Sequence, residues 1–187
     1  MGSNLVVTLF GESHGLAVGA LVEGYPSGQN IDAEQLIHDM DSRKPGNSRL
    51  ASMRKESDKV EILSGVYQGV STGMPILLLI RNEDVKSKDY SFLPDQPRPG
   101  HVDHPIDVKT AGAADLRGGG SFSARLTAGL VAAGSLSRSI LPPDWEIVAE
   151  IGALGGLEGE AGLDLAKQAR KDGDSLGSRV DLTISGL

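Results

Sequence analysis

A five-residue stretch near the start of the chain combines ionisable and flexible residues; it reads Gly11-Glu12-Ser13-His14-Gly15. It directly follows the apolar run from Leu5 to Phe10 and therefore lies at the end of a predicted strand. The two glycines allow a sharp turn and a close approach to a ligand. His14 is the side chain in this stretch that can exchange a proton near neutral pH. These five residues alone are compatible both with a tight turn carrying an incidental histidine and with a functional site.

A basic segment follows, with the sequence Arg43-Lys44-Pro45-Gly46-Asn47-Ser48-Arg49. The surrounding residues 43–55 contain no carboxylate, and their cationic side chains are Arg43, Lys44, Arg49, Arg54 and Lys55. The Pro-Gly pair predicts a turn that lets Arg43 and Arg49 converge on one anion. Arginine suits a phosphate or a carboxylate because its guanidinium group donates two parallel hydrogen bonds. The alternative is a solvated basic loop.

A third segment places an arginine and a histidine around another rigid turn; it reads Arg98-Pro99-Gly100-His101-Val102-Asp103-His104. The turn can present Arg98 and His101 on one side. Alternatively, His101, Asp103 and His104 could be metal ligands, since imidazole and carboxylate groups suit zinc or iron. Three residues within four positions of a loop seldom satisfy one metal ion, so the metal interpretation is the weaker one.

The fourth segment is rich in glycine, and it reads Arg117-Gly118-Gly119-Gly120-Ser121-Phe122-Ser123-Ala124-Arg125. A helix is predicted to begin near Ser121 or Ser123, either of which could be its N-cap. A glycine loop that opens a helix exposes backbone N–H groups at the positive end of the helix dipole, where phosphate binds well. The segment lacks the Lys-Ser/Thr pair of a Walker A loop and the glycine spacing of a dinucleotide fingerprint.

The four segments together supply three histidines, several arginines and one anion site at a helix terminus. They contain no evident nucleophile triad and no convincing set of metal ligands. This inventory favours an enzyme that binds a multiply charged phosphate ligand and moves protons.

The elements that must position these segments follow from apolar periodicity and turn residues. Strands are predicted at Leu5–Phe10, Leu16–Glu23, Val60–Leu63, Val66–Tyr67, Ile76–Arg81, Trp145–Ile151 and Arg179–Ser185. Helices are predicted from the N-cap Asp32 to before Pro45, from the glycine-rich segment to Pro142, and over Leu163–Lys171. Residues 82–105 are predicted to be a long loop. This order indicates an α+β fold, with a helical layer packed against mostly antiparallel strands.

Composition limits the class of protein further. The 187 residues are 39% apolar and include no cysteine, which indicates a globular chain of one domain, or two small ones, without disulfides. No signal peptide and no apolar run of membrane-spanning length is recognised, so a cytoplasmic, soluble protein without a membrane partner is expected. The net charge of −7 argues against general nucleic-acid binding.

In this order, the segments resemble chorismate synthase, the last enzyme of the shikimate pathway that leads to the aromatic amino acids. Besides the four segments above, the matching stretches are 60–66 (Val-Glu-Ile-Leu-Ser-Gly-Val), 72–75 (Thr-Gly-Met-Pro), 80–84 (Ile-Arg-Asn-Glu-Asp) and 87–91 (Ser-Lys-Asp-Tyr-Ser). The resemblance covers essentially the whole chain. It implies the family's β-α-β sandwich fold and a homotetramer with sites near subunit contacts.

The resemblance also implies a reaction. The family converts 5-enolpyruvylshikimate 3-phosphate to chorismate by an anti-1,4-elimination of phosphate and a ring hydrogen, which makes it a carbon–oxygen lyase (EC 4.2.3.5). Family members require reduced FMN although the reaction is redox-neutral overall, and NADPH is a possible reductant. In such enzymes the cofactor performs the difficult step, while the protein positions it and supplies charge.

Site residues are implied position by position. His14 matches the histidine near the substrate phosphate and flavin, and His101 matches the histidine thought to protonate the reduced flavin, so these two are the implied catalytic residues. Ser13, beside His14, is an implied substrate-binding residue. The positions that match the family's substrate-binding arginines are Arg43, Arg49, Arg98 and Arg125. Arg43 and Arg49 also match proposed NADP contacts, whereas the segment credited with flavin contact is Ser121, Phe122 and Ser123. No metal is expected.

Two features depart from the family pattern. Many members have Arg-Ser-Ser-Ala-Arg where this chain has Ser121-Phe122-Ser123-Ala124-Arg125. The family chain is also about twice as long, and its C-terminal half contributes a catalytic aspartate, an arginine and further flavin contacts. Residues 1–187 are therefore interpreted as a single chorismate synthase-like domain that lacks this half. The alternatives are a catalytically incomplete, anion-binding member of the family and, less favoured, a metal-dependent hydrolase.

Overall fold

A computed structural model describes residues 4–44, 57–83 and 87–186. The chain forms two compact units, one containing the described residues up to Ile140 and the other those from Leu141 onward. Within the described ranges, no helix has the length and apolar character needed to cross a membrane.

The described part of the first unit contains six strands and three α-helices. In chain order these are β1 (Val6–Gly11), β2 (Ala17–Glu23), α1 (Ala33–Arg43), β3 (Val60–Ser64), β4 (Val66–Tyr67), β5 (Val70–Ser71), β6 (Ile76–Arg81), α2 (Asp103–Thr110) and α3 (Thr127–Arg138). Short 3-10 helices occupy Ser87–Tyr90, Arg117–Phe122 and Ala124–Leu126.

A four-stranded antiparallel sheet with the order β1-β2-β6-β3 forms the centre of this unit. Because side chains alternate between the two faces of a strand, every second residue of β2 and β6 lies on the buried face. The fully buried side chains on that face are Val18, Ala20, Val22, Ile76, Leu78 and Ile80. Helices α1 and α3 pack together, and α3 lies against the sheet. The predicted helical layer on antiparallel strands is confirmed.

Individual residues explain where α1 begins and how α3 is held against the sheet. The Asp32 carboxylate accepts a hydrogen bond of 2.8 Å from the Gln35 backbone N–H and so caps α1, as the sequence predicted. Small residues on α3 allow a close approach to β2, because a Cβ built on Gly129 would lie 2.4 Å from the Gly19 carbonyl oxygen. The buried Tyr25 hydroxyl adds a cross-link, donating to the α3 carbonyl of Leu136 over 3.0 Å.

Two predicted boundaries differ from the structure. The loop expected over residues 82–105 ends earlier, because α2 begins at Asp103. Pro105 lies in the first turn of α2, where its missing N–H has no intrahelical partner to lose, so the proline does not prevent the helix. The helix expected from Ser121 or Ser123 begins at Thr127 and is preceded by two 3-10 helices.

The second unit contains β7 (Glu146–Leu154), α4 (Gly159–Lys171) and β8 (Ser178–Ser185). Strands β7 and β8 pair antiparallel, and α4 packs against β7. The strand, helix and strand predicted for this region are confirmed. Their apolar side chains remain largely exposed; among them are Ile147, Ile151, Val180, Leu182 and Ile184.

Candidate functional site

The turn between β1 and β2 is attached to the glycine-rich loop by its serine. The Ser13 backbone N–H donates to the Gly120 carbonyl over 3.1 Å. The Ser13 hydroxyl lies 3.2 Å from the Arg117 carbonyl oxygen and 3.1 Å from that of Gly118, both of which can accept from it. Ser13 is fully buried, so in this structure it joins two segments of the predicted site.

Gly118 fixes the surroundings of the neighbouring histidine. Its backbone has a φ of 62°, in the left-handed region that favours glycine. A Cβ built at Gly118 would lie 2.5 Å from His14 Cδ2 and 2.7 Å from His14 Nε2. The half-buried His14 ring therefore packs directly on this backbone. On another side it meets Tyr90 edge to face, with 4.9 Å between the ring centroids.

Tyr90 also connects His14 with the third predicted segment. The Arg98 guanidinium carbon lies 5.3 Å from the Tyr90 ring centroid, within the range of a cation–π contact. Arg98 Nε and Nη2 each donate to the Asp103 carboxylate over 2.8 Å, and the Arg98 backbone N–H donates over 3.0 Å. These hydrogen bonds from Arg98 hold the pKa of Asp103 well below its usual range, at about 2. Asp103 in turn raises the pKa of Arg98.

The same contacts bear on the metal alternative. Both Asp103 carboxylate oxygens accept hydrogen bonds from Arg98. Residues 4–44, 57–83 and 87–186 contain no group of three His, Asp or Glu side chains that could hold a metal ion. His101 is exposed, and its Nδ1 lies 3.2 Å from the Pro99 carbonyl oxygen.

A second cluster, here called the arginine pair, consists of Arg43 and Arg125 on either side of Asp58. Arg43 Nη1 donates to one Asp58 oxygen and Arg125 Nη1 to the other. The Asp58 side chain is fully buried, the Arg125 side chain is 3% exposed and the Arg43 side chain is 18% exposed. A buried carboxylate with charge-assisted hydrogen bonds on both oxygens is well compensated.

Asn82, directly after β6, connects the arginine pair to the histidine turn. Arg125 Nε donates to Asn82 Oδ1 over 2.9 Å. The Asn82 side-chain amide donates to the carbonyls of Glu12 and Gly15 over 3.0 and 2.9 Å. The Asn82 side chain thus connects Arg125 of the arginine pair with the turn that carries Ser13 and His14.

Two cavities border the glycine-rich loop. A cavity of about 220 Å³ is lined by Glu12, Asp103, Asp115, Gly119, Ser121 and Phe122, among others. A second, of about 330 Å³, is lined by residues that include Tyr90, Asp107 and Arg117. Hydrogen bonds from Arg117 lower the pKa of Asp115, with a smaller contribution from His14, so this region carries a carboxylate near neutral pH.

The predicted site residues therefore fall into connected groups. Ser13 and His14 meet the glycine-rich loop, while Arg43 and Arg125 share Asp58. Ser121 and Phe122 line the smaller cavity, whereas Ser123 caps the 3-10 helix that follows it by accepting from the Arg125 N–H over 3.3 Å. Arg49 lies outside the described residues. The flavin, substrate and catalytic roles of all these residues stay predictions.

Three connecting residues were not identified from the sequence: Asp58, Asn82 and Tyr90. Asn82 had one usable signal, since it is a polar residue placed directly after a buried apolar strand. Asp58 and Tyr90 had none, because their partners are distant in the chain. Only the folded chain shows them to be neighbours of the predicted residues.

Comparison with known proteins supports the family resemblance. The sequence model of the family described as chorismate synthase matches residues 5–187. The chain is 43% identical to chorismate synthase of Bordetella petrii and 43% identical to that of Ralstonia pickettii. All of this chain is covered in both cases, but it spans only 59% and 57% of those two proteins.

The fold agrees as well. A crystal structure of chorismate synthase superposes with a TM-score of 0.73 and 23% sequence identity, covering 99% of this chain and 58% of the other. At this identity the likeness speaks for the fold, and the predicted α+β architecture of the chorismate synthase type is confirmed. Since the family model covers nearly every residue, the chain belongs to the chorismate synthase family.

Proposed function

We propose that the chain takes part in the chorismate synthase reaction, the anti-1,4-elimination of phosphate from 5-enolpyruvylshikimate 3-phosphate. In this reaction the C–O bond to phosphate breaks with its electron pair on phosphate. A ring C–H bond breaks, its hydrogen leaves overall as a proton, and its electron pair stays in the ring, which gains one carbon–carbon double bond. One observation carries the proposal: the hydrogen bonds of Asn82 link the arginine pair to the turn that holds Ser13 and His14.

The chain's own residues can supply charge and protons for this reaction. Arg43, Arg49, Arg98 and Arg125 would bind the phosphate and carboxylate groups of the substrate. Ser13 would bind the substrate beside His14, His14 would act at the substrate phosphate, and His101 would transfer a proton. Arg43 supports this assignment best, because its side chain is 18% exposed and its Nε has no hydrogen-bond partner within the described ranges.

The residues around the smaller cavity fit part of a flavin. Phe122 is 59% exposed and offers an aromatic face, and Ser121 offers a hydroxyl at the same cavity. Reduced FMN, when bound, supplies electron density that helps phosphate to leave. Ser121, Phe122 and Ser123 would hold it, and Arg43 and Arg49 would contact NADPH if this nucleotide is the reductant. A homotetramer located in the cytoplasm, with residues 1–187 as one functional domain, completes the proposal.

The second candidate function is the alternative set out in the sequence analysis, a family member that binds the anionic substrate and flavin without completing the reaction. The buried, charge-compensated arginine pair is the observation that favours anion binding by itself. The two candidates differ in turnover and agree in binding.

Phosphate release from 5-enolpyruvylshikimate 3-phosphate, measured anaerobically with photoreduced FMN, separates the two. Turnover supports the lyase. Flavin and substrate binding without phosphate release supports the binding member, and absence of both binding and turnover contradicts either function.

Paired histidine variants test the chemistry. His101→Ala is expected to reduce turnover strongly, because it removes the predicted proton donor, while His104→Ala is expected to retain it. Both side chains are exposed and lie on the same segment, so the pair is matched for general effects on folding. Two results together would favour the metal-dependent hydrolase instead. Both variants would lose activity equally, and a metal chelator would abolish the activity of the parent protein.

A further inference from the structure

Asp58 has an unusual backbone and an unusual environment. Its φ is 50°, a left-handed conformation that non-glycine residues adopt infrequently and that Asp and Asn tolerate best. Only 1% of the residue is exposed, although it is charged. Just before it, Ser57 is bonded to the Glu83 carboxylate through its hydroxyl over 2.8 Å and its N–H over 3.2 Å. The fold thus holds a carboxylate in a fixed, buried position.

This carboxylate meets one guanidinium group from each of two separate elements. Arg43 is the last residue of α1, and Arg125 belongs to the 3-10 helix before α3. Without Asp58, these two cations would repel each other at close range. With Asp58, the cluster of three groups keeps one net positive charge, so it can still attract an anion.

The two arginines differ in how much donor capacity the protein uses. Arg125 donates to Asp58, to Asn82 and, through Nη2, to the Arg81 carbonyl over 3.1 Å. Arg43 donates to Asp58 and makes a long contact of 3.5 Å with the Thr127 hydroxyl. Its Nε is buried and unpartnered within the described ranges, and buried donors normally find an acceptor. Arg43 is therefore the more exposed member of the pair, with an 18% exposed side chain against 3% for Arg125, and the one with an unused donor.

We propose that Asp58 is a positioning residue that holds Arg43 and Arg125 in the arrangement that binds the substrate's anionic group. Its carboxylate orients Arg43 toward the anion and fixes Arg125. Arg125 in turn positions Asn82 by a hydrogen bond, and Asn82 holds the turn that carries His14. The inference rests on the proposed function. It adds Asp58 to the residues that support anion binding, although Asp58 is negatively charged and a direct ligand of an anion would be positively charged.

Because Asp58 is negatively charged, the direction in which anion affinity changes when it is replaced distinguishes two explanations. If Asp58 acted on the anion only through its charge, removing the carboxylate would make the cluster more positive and anion binding tighter. If it acts by orienting the arginines, removing it releases their guanidinium groups and weakens anion binding despite the added positive charge. The two explanations therefore predict opposite changes in affinity.

Asp58→Asn is the suitable variant, because asparagine also tolerates the left-handed conformation and has nearly the same shape. Asp164→Asn is the matched control, since it removes one negative charge from an exposed ion pair with Lys167 in the second unit. Calorimetric titration with inorganic phosphate and with 5-enolpyruvylshikimate 3-phosphate would measure affinity without requiring turnover. For both ligands we expect the Kd of Asp58→Asn to rise at least tenfold and that of Asp164→Asn to stay within twofold of the parent.

An unchanged or lower Kd in folded Asp58→Asn would overturn the inference, as would absence of phosphate binding by the parent chain. If the parent chain binds phosphate normally but does not turn over, the lyase function is contradicted. The comparison of Kd values would then still decide whether Asp58 positions the arginines.

Since Asp58→Asn can also fail to fold, a measurement on the parent chain is needed. Side-chain NMR of ¹⁵N-labelled arginine should show separate Nη signals for Arg43 and Arg125, because Asp58 restrains both groups. Phosphate should shift the Arg43 Nε signal. Averaged Nη signals from Arg43, or an Nε signal unaffected by saturating phosphate, would contradict the proposal.

Discussion

Replacing Gly118 with alanine tests whether the glycine-rich loop and the histidine turn are packed as described. The new Cβ would lie 2.5 Å from His14 Cδ2 and 2.6 Å from the Ser13 hydroxyl oxygen. The left-handed backbone costs an L-residue about 1–2 kcal/mol, and forcing an extra carbon into a packed site costs about 1–3 kcal/mol more. Gly118→Ala should therefore lower the free energy of unfolding by roughly 2–5 kcal/mol, the sum of these two ranges.

Gly119→Ala is the matched control for this prediction. Gly119 has a φ of 87° in the same loop, but its Cβ would meet only the Ser123 side chain, at an ordinary 3.8 Å. Denaturant unfolding of both variants should give a cost of about 1–2 kcal/mol for Gly119→Ala, the backbone contribution alone. Equal destabilisation of the two variants would refute the direct contact between Gly118 and His14.

Three further predictions concern stability. Gly129→Ala should destabilise the chain by about 1–3 kcal/mol in thermal or denaturant unfolding, since its methyl would press on the β2 backbone. Gly134→Ala in the same helix has open space around the new methyl, so it should stabilise the chain by about 0.5–1 kcal/mol. Asp103→Asn should cost about 2 kcal/mol at pH 7. Because the folded pKa of Asp103 lies at about 2, below its ordinary value of 3.8, this difference should shrink as the unfolding assay is taken from pH 5 toward pH 2. Tyr25→Phe should cost about 1–2 kcal/mol through its lost buried hydrogen bond, and the exposed Tyr67→Phe should be near neutral. Equal effects within the glycine pair or within the tyrosine pair would contradict the packing and the hydrogen bond described, and a pH-independent cost of Asp103→Asn would contradict the lowered pKa.

Much of the fold could be predicted because its signals are local. Alternation in β2 and β6 and the Asp32 cap each act within a few residues, so they can be read directly from the sequence. Helix α2 could not be found in this way. Its sequence, Asp-His-Pro-Ile-Asp-Val-Lys-Thr, has no clear apolar stripe, and a proline stands in its first turn.

The site was predictable in its parts and unpredictable in its connections. The histidine turn, the basic segment and the glycine-rich loop each have a recognisable composition. Their cross-links depend on partners far apart in the chain, such as Arg125 with Asp58. The sequence also does not indicate that the Ser13 hydroxyl is used by backbone carbonyls, because any serine in a turn has the same local pattern.

The attachment of Ser13 to the glycine-rich loop has a consequence for synthesis of the chain. The two partners are separated by 104 and 105 positions for the two carbonyl contacts. At a translation rate of about 5–20 residues per second, the ribosome needs roughly 5–20 seconds to make the intervening chain. During that interval the histidine turn has been synthesised but its partner loop has not. The contact between the histidine turn and the glycine-rich loop can therefore form only after translation has passed Gly120, and a pause upstream of this point would prolong the time that Ser13 spends without these partners.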